Sequence, residues 1–226
     1  MQPVRPQSAL RYPLAGILGT QTNVRVLRVL ALHGGALSAS RLTQDAGMSG
    51  YGVRLALDGL DGCGIVRRLG QGRSILYQLD ERHPLAAILA DLFRAEADRV
   101  AAIFDAIRRA VADPAIAAAW IYGSFSRGED TFDSDQDIVL VGETLWSNDP
   151  VAERARERLD EASERLLFRP LVVHLAFDDV LRLSSGDPWW ESMRRDAHTI
   201  KGEPPADLAR QILKKRRPAA DPSGAE

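Results

Sequence analysis

Apolar residues recur at intervals of three and four through much of the chain, interrupted by short runs of strand character. Val26, Leu27, Val29, Leu30 and Leu32 predict a helix capped by Asn23 and stopped at Gly34-Gly35. Ser38 caps a second helix with Leu42 and Ala46 inward. A break at Gly47-Met48-Ser49 leads into a third, striped by Val53, Leu57 and Leu60. "GIVRRLG" and "SILYQLD", joined by "QGR", read as a β-hairpin. The stretch before these helices, residues 1–19, holds three prolines and few periodic apolar positions, and reads as a loose arm. From Pro84 to Val111 the pattern is helical throughout, carried by Leu85, Ile88, Leu89, Leu92, Val100, Ile103, Phe104 and Ile107, until Pro114 ends it. Such a helix can join two domains or pair with its own copy; its charged face is a solvated one.

Beyond it the element types alternate. Ile116–Tyr122 reads as a strand, Ser124–Gly128 as a short helical turn, Asp135–Val141 as a strand and Pro150–Leu167 as an amphipathic helix. Pro170–Phe177 is a further strand, Asp178–Leu183 begins a helix, and a last short helix starts near Ala206. The tail from Pro218 has no apolar cluster and is expected to be disordered.

Composition narrows the class. The 226 residues are 45% hydrophobic and 27% charged, which suits a soluble globular chain of two modest domains. No apolar run reaches the roughly 18 residues of a membrane span. The start lacks a secretory pattern, so the expected location is cytoplasmic, with no membrane partner. Cys63 is alone, which excludes an internal disulfide and a cysteine-rich metal site. Charge is uneven: residues 1–82 carry ten Arg and no Lys against five acidic residues, a net of +5, while the other 19 basic and 26 acidic residues give the remainder −7. The two parts either meet different partners, the basic one leaning toward nucleic acid, or carry ordinary surface charge; charge alone weighs these equally.

Three helices followed by a hairpin is the order of a winged helix-turn-helix, in which the third helix enters the major groove of double-stranded DNA. Ser49, Tyr51 and Arg54 would face bases, and Arg67, Arg68, Gln71 and Arg73 on the wing would reach phosphates or the minor groove. The stretch 23–80 resembles winged-helix repressors of the arsenic-repressor type, without a metal-sensing cysteine pair. The same fold can also serve protein contacts.

A second constellation lies in "YGSFSRGEDTFDSDQDIVLV", Tyr122 to Val141. Side chains two apart on a strand share a face, so Asp135 and Asp137 project together. Carboxylates so placed repel unless one is protonated or a cation lies between them, and Mg²⁺ answers with its preference for hard oxygen ligands. Gly123 lets backbone approach closely, and a loop at a helix start offers free N–H groups to anionic oxygens. The Ser124 hydroxyl can donate to a phosphate. Arg127 either adds charge to that anion or is a surface residue. Phosphate grip with paired magnesium ligands is the set that phosphoryl or nucleotidyl transfer requires.

Gly-Ser, ten residues, then Asp-Gln-Asp in a hydrophobic strand resembles the DNA polymerase β nucleotidyltransferase superfamily, its minimal members above all. Gly128 and Ser134 also match, and the likeness covers residues 115–180. It implies a small mixed sheet flanked by helices, a nucleoside triphosphate held by Gly123 and Ser124, and Mg²⁺ bound by Asp135 and Asp137. It also implies transfer of a nucleoside monophosphate to an acceptor, a small molecule or a protein side chain. The superfamily draws a third carboxylate from a later strand. In this chain that strand is "LVVHLAF", and its central polar residue is His174, either a proton acceptor in the carboxylate's place or a core or site-lining histidine. Asp178 and Asp179 lie just past the strand.

The expected fold class is therefore α+β. A winged helix-turn-helix spans 20–82, a connecting helix 83–113, a nucleotidyltransferase-like domain with a mixed sheet 114–217, and a disordered tail 218–226. Two functions stand: a DNA-binding nucleotidyltransferase, or a dimeric transcription regulator whose transferase-like domain binds nucleotide or mediates oligomerisation without turnover. Trp189-Trp190 either stack on a base or pack a C-terminal helix. "KKRR" at Lys214–Arg217 either touches DNA phosphates or answers a helix dipole.

Overall fold

A computed structural model describes residues 13–131, 133–144 and 149–216, with residue 73 described by its backbone alone. The chain divides into two units, Met1–Asp98 and Arg99–Glu226, and the fold is mixed α and β.

The first unit begins with α1 (Leu14–Leu18) and α2 (Gln21–His33). Both correct the expectation from sequence. Residues 14–18 are helical, with Ile17 fully buried, where a loose arm was expected; residues 1–12 lie outside the described residues. The cap of α2 is Thr20, not Asn23: the Thr20 hydroxyl accepts the Asn23 N–H at 3.0 Å. Asn23 sits in the first turn, nearly buried, and its amide donates to the Gly16 carbonyl at 2.9 Å, tying α1 to α2.

Next come β1 (Leu37–Ser38), α3 (Ala39–Ala46) and α4 (Gly50–Gly62). Ser38 and Ser49 cap the two helices through the N–H groups of Arg41 and Gly52. β2 (Val66–Leu69) and β3 (Leu76–Leu79) pair antiparallel, with a 3₁₀ turn at Gly72–Ser74 between them, and β1 adds to β3 to give the strand order β1-β3-β2. The helices and the sheet enclose a core of Leu27, Leu30, Leu42, Leu57, Leu60 and Ile65, all essentially inaccessible. α5 (Ala86–Ala110) contributes Leu89 and Phe93 to this core, and the division between the two units falls within it. Arg28 holds Glu96 of α5 at 2.9 Å and lies over the Phe93 ring.

The second unit is a four-stranded sheet with helices on both faces. β4 (Ala118–Tyr122) runs into α6 (Gly123–Arg127), and β5 (Gln136–Gly142) pairs antiparallel with β4. α7 (Pro150–Leu166) crosses to β6 (Pro170–Ala176), which lies parallel to β5. α8 (Phe177–Leu183) and α9 (Pro188–Asp196) follow, then β7 (His198–Lys201) on the free edge of β4, then α10 (Pro205–Arg216). The order is β6-β5-β4-β7. Alternation along the strands separates two cores. Ile121, Ile138 and Leu140 meet α5 and α7, while Trp120, Val139 and Val141 meet α8, α9 and α10.

β7, like α1 and β1, is an element the sequence reading did not anticipate. Four residues, "HTIK", carry too little apolar alternation to announce a strand, and pairing with β4 supplies what the local sequence lacks. Its Lys201 ammonium donates to the Val111 and Asp113 carbonyls at 2.9 and 2.6 Å. Trp190 is buried and meets the Trp120 ring edge-on at 6.0 Å, so it acts as packing. At the end of α10, Arg216 pairs with Asp178, while Arg217 lies outside the described residues. Among the described residues no helix is long and apolar enough to cross a membrane.

Trp120 is fully buried and its indole N–H donates to the Glu203 carbonyl at 2.8 Å. Trp120→Ala is expected to destabilise the second unit by about 3–5 kcal/mol in chemical denaturation followed by circular dichroism. A loss below about 1 kcal/mol would contradict this packing.

Candidate functional site

The β4–β5 register sets Tyr122 opposite Asp137, so the turn after β4 begins beside that carboxylate. Gly123 opens α6 with φ +79°. A Cβ added to it would lie 2.5 Å from Asp137 Oδ2. Backbone conformation and the carboxylate thus both demand glycine at this position. Ser124 follows, half-buried, in the first turn of α6, where backbone N–H groups have no intrahelical acceptor.

Asp137 is half-buried on β5 and Asp135 exposed, one residue before the strand starts at Gln136. The strand was expected to include Asp135. Burial holds the Asp137 carboxyl above the usual carboxylate range, and the Asp135 charge pushes it further the same way. Burial first, and then the charge of Asp137, likewise raises the Tyr122 phenol. A carboxyl raised by burial and by a neighbouring acid is suited to a hard divalent cation. Asp135 and Asp137 could hold one, with water and ligand oxygens completing its shell. Among the described residues no group of three or more His, Cys, Asp or Glu side chains is placed to hold a metal.

Two residues missed in the sequence reading shape this corner. Gln136, the middle of Asp-Gln-Asp, is nearly buried and works as a clamp: its amide oxygen accepts the Arg169 N–H at 2.6 Å and its amide nitrogen donates to the Ser134 carbonyl at 3.1 Å. Arg169, just before β6, reaches Asp135 at 3.3 Å and gives it a partial counter-charge. A buried polar residue between two acids was the available signal for Gln136. Nothing local announced Arg169, because its partner Asp135 is distant in sequence.

Two expected residues fall outside this arrangement. His174 does not face it. β5 and β6 are parallel, with Asp137 beside Leu171 and Leu140 beside His174. His174 therefore shares the Leu140 face, toward α7, opposite the face of Asp137. Burial lowers its pKa, with Arg156 adding to that effect, and its Nε2 is buried without a partner. On the face of Asp137, β6 presents Leu171, Val173 and Leu175, so no carboxylate of that strand joins the pair. Asp178 pairs with Arg216, and Asp179 accepts from the Ala176 N–H and pairs with Arg182. Arg127 is likewise committed, to Glu129 and Asp196, both at 2.7 Å. Its charge is matched within the fold and not held out toward a ligand.

The residues expected to meet DNA divide in the same way. Tyr51 is 73% exposed on α4, and Arg54 beside it has no ion-pair or hydrogen-bond partner among the described residues. Ser49 is exposed but uses its hydroxyl oxygen as the α4 cap. Arg68 does not extend toward phosphates: Asp58 and Asp61 of α4 hold it at 2.5 and 3.0 Å, and it lies over Tyr77. Arg67 is half-buried against Gln78 at 3.1 Å, with its Nε buried and unpartnered. The side chain of Arg73 lies outside the described residues.

The raised Asp137 carboxyl makes the metal-free fold sensitive to pH. The native state keeps this proton to higher pH than the unfolded chain. Its contribution is therefore fully present at low pH and is lost as pH rises through the raised value. In EDTA, Asp137→Asn is expected to melt above the unsubstituted protein at neutral pH, with the gap closing as pH falls through the carboxylate range. A gap that widens on acidification would contradict it.

Residues 75–169, less than half of the chain, match the model of a family described as "Putative nucleotidyltransferase DUF294". The matched stretch includes Gly123, Ser124, Asp135 and Asp137. No curated protein matches the chain. Among solved structures, a toxin-antitoxin crystallised with AMP-PNP is similar at 17% identity and a TM-score of 0.35, over 50% of this chain and 85% of that one. A mutant of the toxin-antitoxin MntA-HpeT is similar at 15% identity and a TM-score of 0.31, over 53% and 84%. The stretch similar to that family is thus the one that carries the Gly-Ser turn and the two aspartates.

Proposed function

We propose that residues 114–217 form a magnesium-dependent nucleotidyltransferase domain and residues 20–82 a winged helix-turn-helix that binds double-stranded DNA. The observation that carries the first part is the approach of Asp137 to Gly123, where a Cβ would stand 2.5 Å from the carboxylate oxygen. It joins the phosphate-gripping turn to the paired acids. In this reading Asp135 and Asp137 hold Mg²⁺, while Gly123 and Ser124 receive the phosphates of a nucleoside triphosphate. The ion supplies charge neutralisation at the α-phosphate. An acceptor hydroxyl, on a small molecule or a protein, attacks that phosphorus; the bond to pyrophosphate breaks, and the hydroxyl proton passes to solvent. The protein works in the cytoplasm.

A specific observation favours a second reading, in which the domain binds nucleotide without turnover and serves a transcription regulator. β6 sets Leu171 and Val173 on the face of Asp137, which leaves no base of that strand on this face. Incubation with each α-labelled nucleoside triphosphate, Mg²⁺ and cell extract separates the two. Transfer of label by the unsubstituted protein, lost by about a hundredfold or more in Asp135→Ala/Asp137→Ala and in Gly123→Ala, is the expected result. Triphosphate binding by calorimetry without label transfer would leave the second reading. Neither binding nor transfer would remove both.

For the N-terminal part, support comes from the order of α2, β1, α3, α4, β2 and β3, from the short Gly47–Ser49 turn, and from the free Arg54 beside exposed Tyr51. Ile88 and Leu92, exposed one turn apart on α5, suit pairing of two copies. A promoter fragment is expected to shift in a salt-dependent manner, with two copies per duplex, and Arg54→Ala should weaken binding about tenfold. Binding unchanged by Arg54→Ala would move the contact elsewhere; absence of any shift at low salt would end the DNA reading.

A further inference from the structure

Nearly every arginine with a described side chain is held by a carboxylate, an amide or a backbone carbonyl. On α7, Arg154 pairs with Asp113 and Arg156 with Glu153; on α5, Arg108 pairs with Asp105. Arg54, Arg109, Arg158 and Arg165 have no such partner among the described residues. Three of these four line one groove of about 380 Å³ between α5 and α7. In a chain with more acidic than basic residues, three unmatched guanidiniums at one place is a charge distribution that folding alone does not require. Three guanidiniums against the one lining carboxylate, Glu161, leave the groove with an excess of positive charge that draws anions.

The groove has further features of a binding site. Its floor is the methyl groups of Ala106, Ala110 and Ala162, all buried. Its size falls in the range of small-molecule sites, about 300–1,000 Å³. Arg158 and Arg165 are seven residues apart on α7, about 10 Å along the axis, and Arg109 stands across from them on α5. That span exceeds a single phosphate and suits a chain of them. Glu161, between the two α7 arginines, also lines the groove. A carboxylate there can accept hydrogen bonds from ligand hydroxyls. α5 and α7 cover the face of Ile138 and Leu140, so the groove is separate from the Asp135–Asp137 corner on the other face of the sheet.

We infer that this groove is a second, metal-independent site for a polyphosphate-bearing ligand of nucleotide size. Guanidinium forks grip phosphate oxygens in pairs, and the methyl floor keeps water from one side. The inference stands apart from the transferase reading, because none of its residues belongs to that corner.

Calorimetry on the full chain in EDTA at low salt tests it, with ATP and inorganic tripolyphosphate as probes. Binding is expected without Mg²⁺, unchanged in Asp135→Asn/Asp137→Asn and weakened about tenfold or more in Arg158→Gln/Arg165→Gln. Tighter binding of ATP assigns the ligand as a nucleoside polyphosphate; equal or tighter binding of tripolyphosphate assigns it as an inorganic chain. The three arginines are exposed, so these variants should keep the parent melting curve. Arg109→Gln, on the other helix, gives an independent reading should the double variant misfold. No heat with either probe, or binding that follows the aspartates and ignores all three arginines, overturns the inference.

Discussion

The close approach of the Asp137 carboxylate to the Gly123 backbone is the constraint around which the second unit is arranged. It exists because β4 and β5 pair with Tyr122 opposite Asp137 and because residue 123 has no Cβ. A side chain there would push the carboxylate away or bend the turn. The register brings the residue after one strand against an acid on its neighbour, and any slip by one residue would send Asp137 to the opposite face. The antiparallel β4–β5 pair, with β7 on its far edge, fixes that register along the full length of β4.

A buried carboxylate beside a second one is unfavourable for the fold itself. The structure offsets part of this with Arg169 on Asp135 and with the Gln136 clamp that binds the loop to β6. The rest remains as a raised carboxyl at Asp137. A cation between the two acids, as proposed, would answer this unfavourable charge. The histidine and the aspartates farther along the chain do not contribute, because strand alternation and local ion pairs assign them elsewhere.

Pairing of charge also governs the first unit. Its net positive charge suggested several arginines held out to a polyanion. Arg68 instead closes on two aspartates of α4, and Arg67 folds against β3, so that among the described side chains of this unit Arg54 alone keeps an unmatched guanidinium. Net charge counts residues; it does not count those already matched inside the fold.

The sequence by itself determined the helices with strong periodicity, the cap at Ser38, the strands β4, β5 and β6 to within a residue or two, and the presence of a Gly-Ser turn ahead of Asp135 and Asp137. Each of these depends on local preferences or on alternation, which a linear reading contains. Tertiary structure decided what depends on partners distant in sequence. It made α1 and β7, which carry little signal alone, by giving them α2 and β4 to pack and pair against. It turned His174 away from the acids through a parallel register that no spacing within one strand reveals, and it chose which arginines are matched and which are left facing a groove. Side-chain direction and charge pairing across elements are properties of the assembled sheet and helices, and the chain acquires them only on folding.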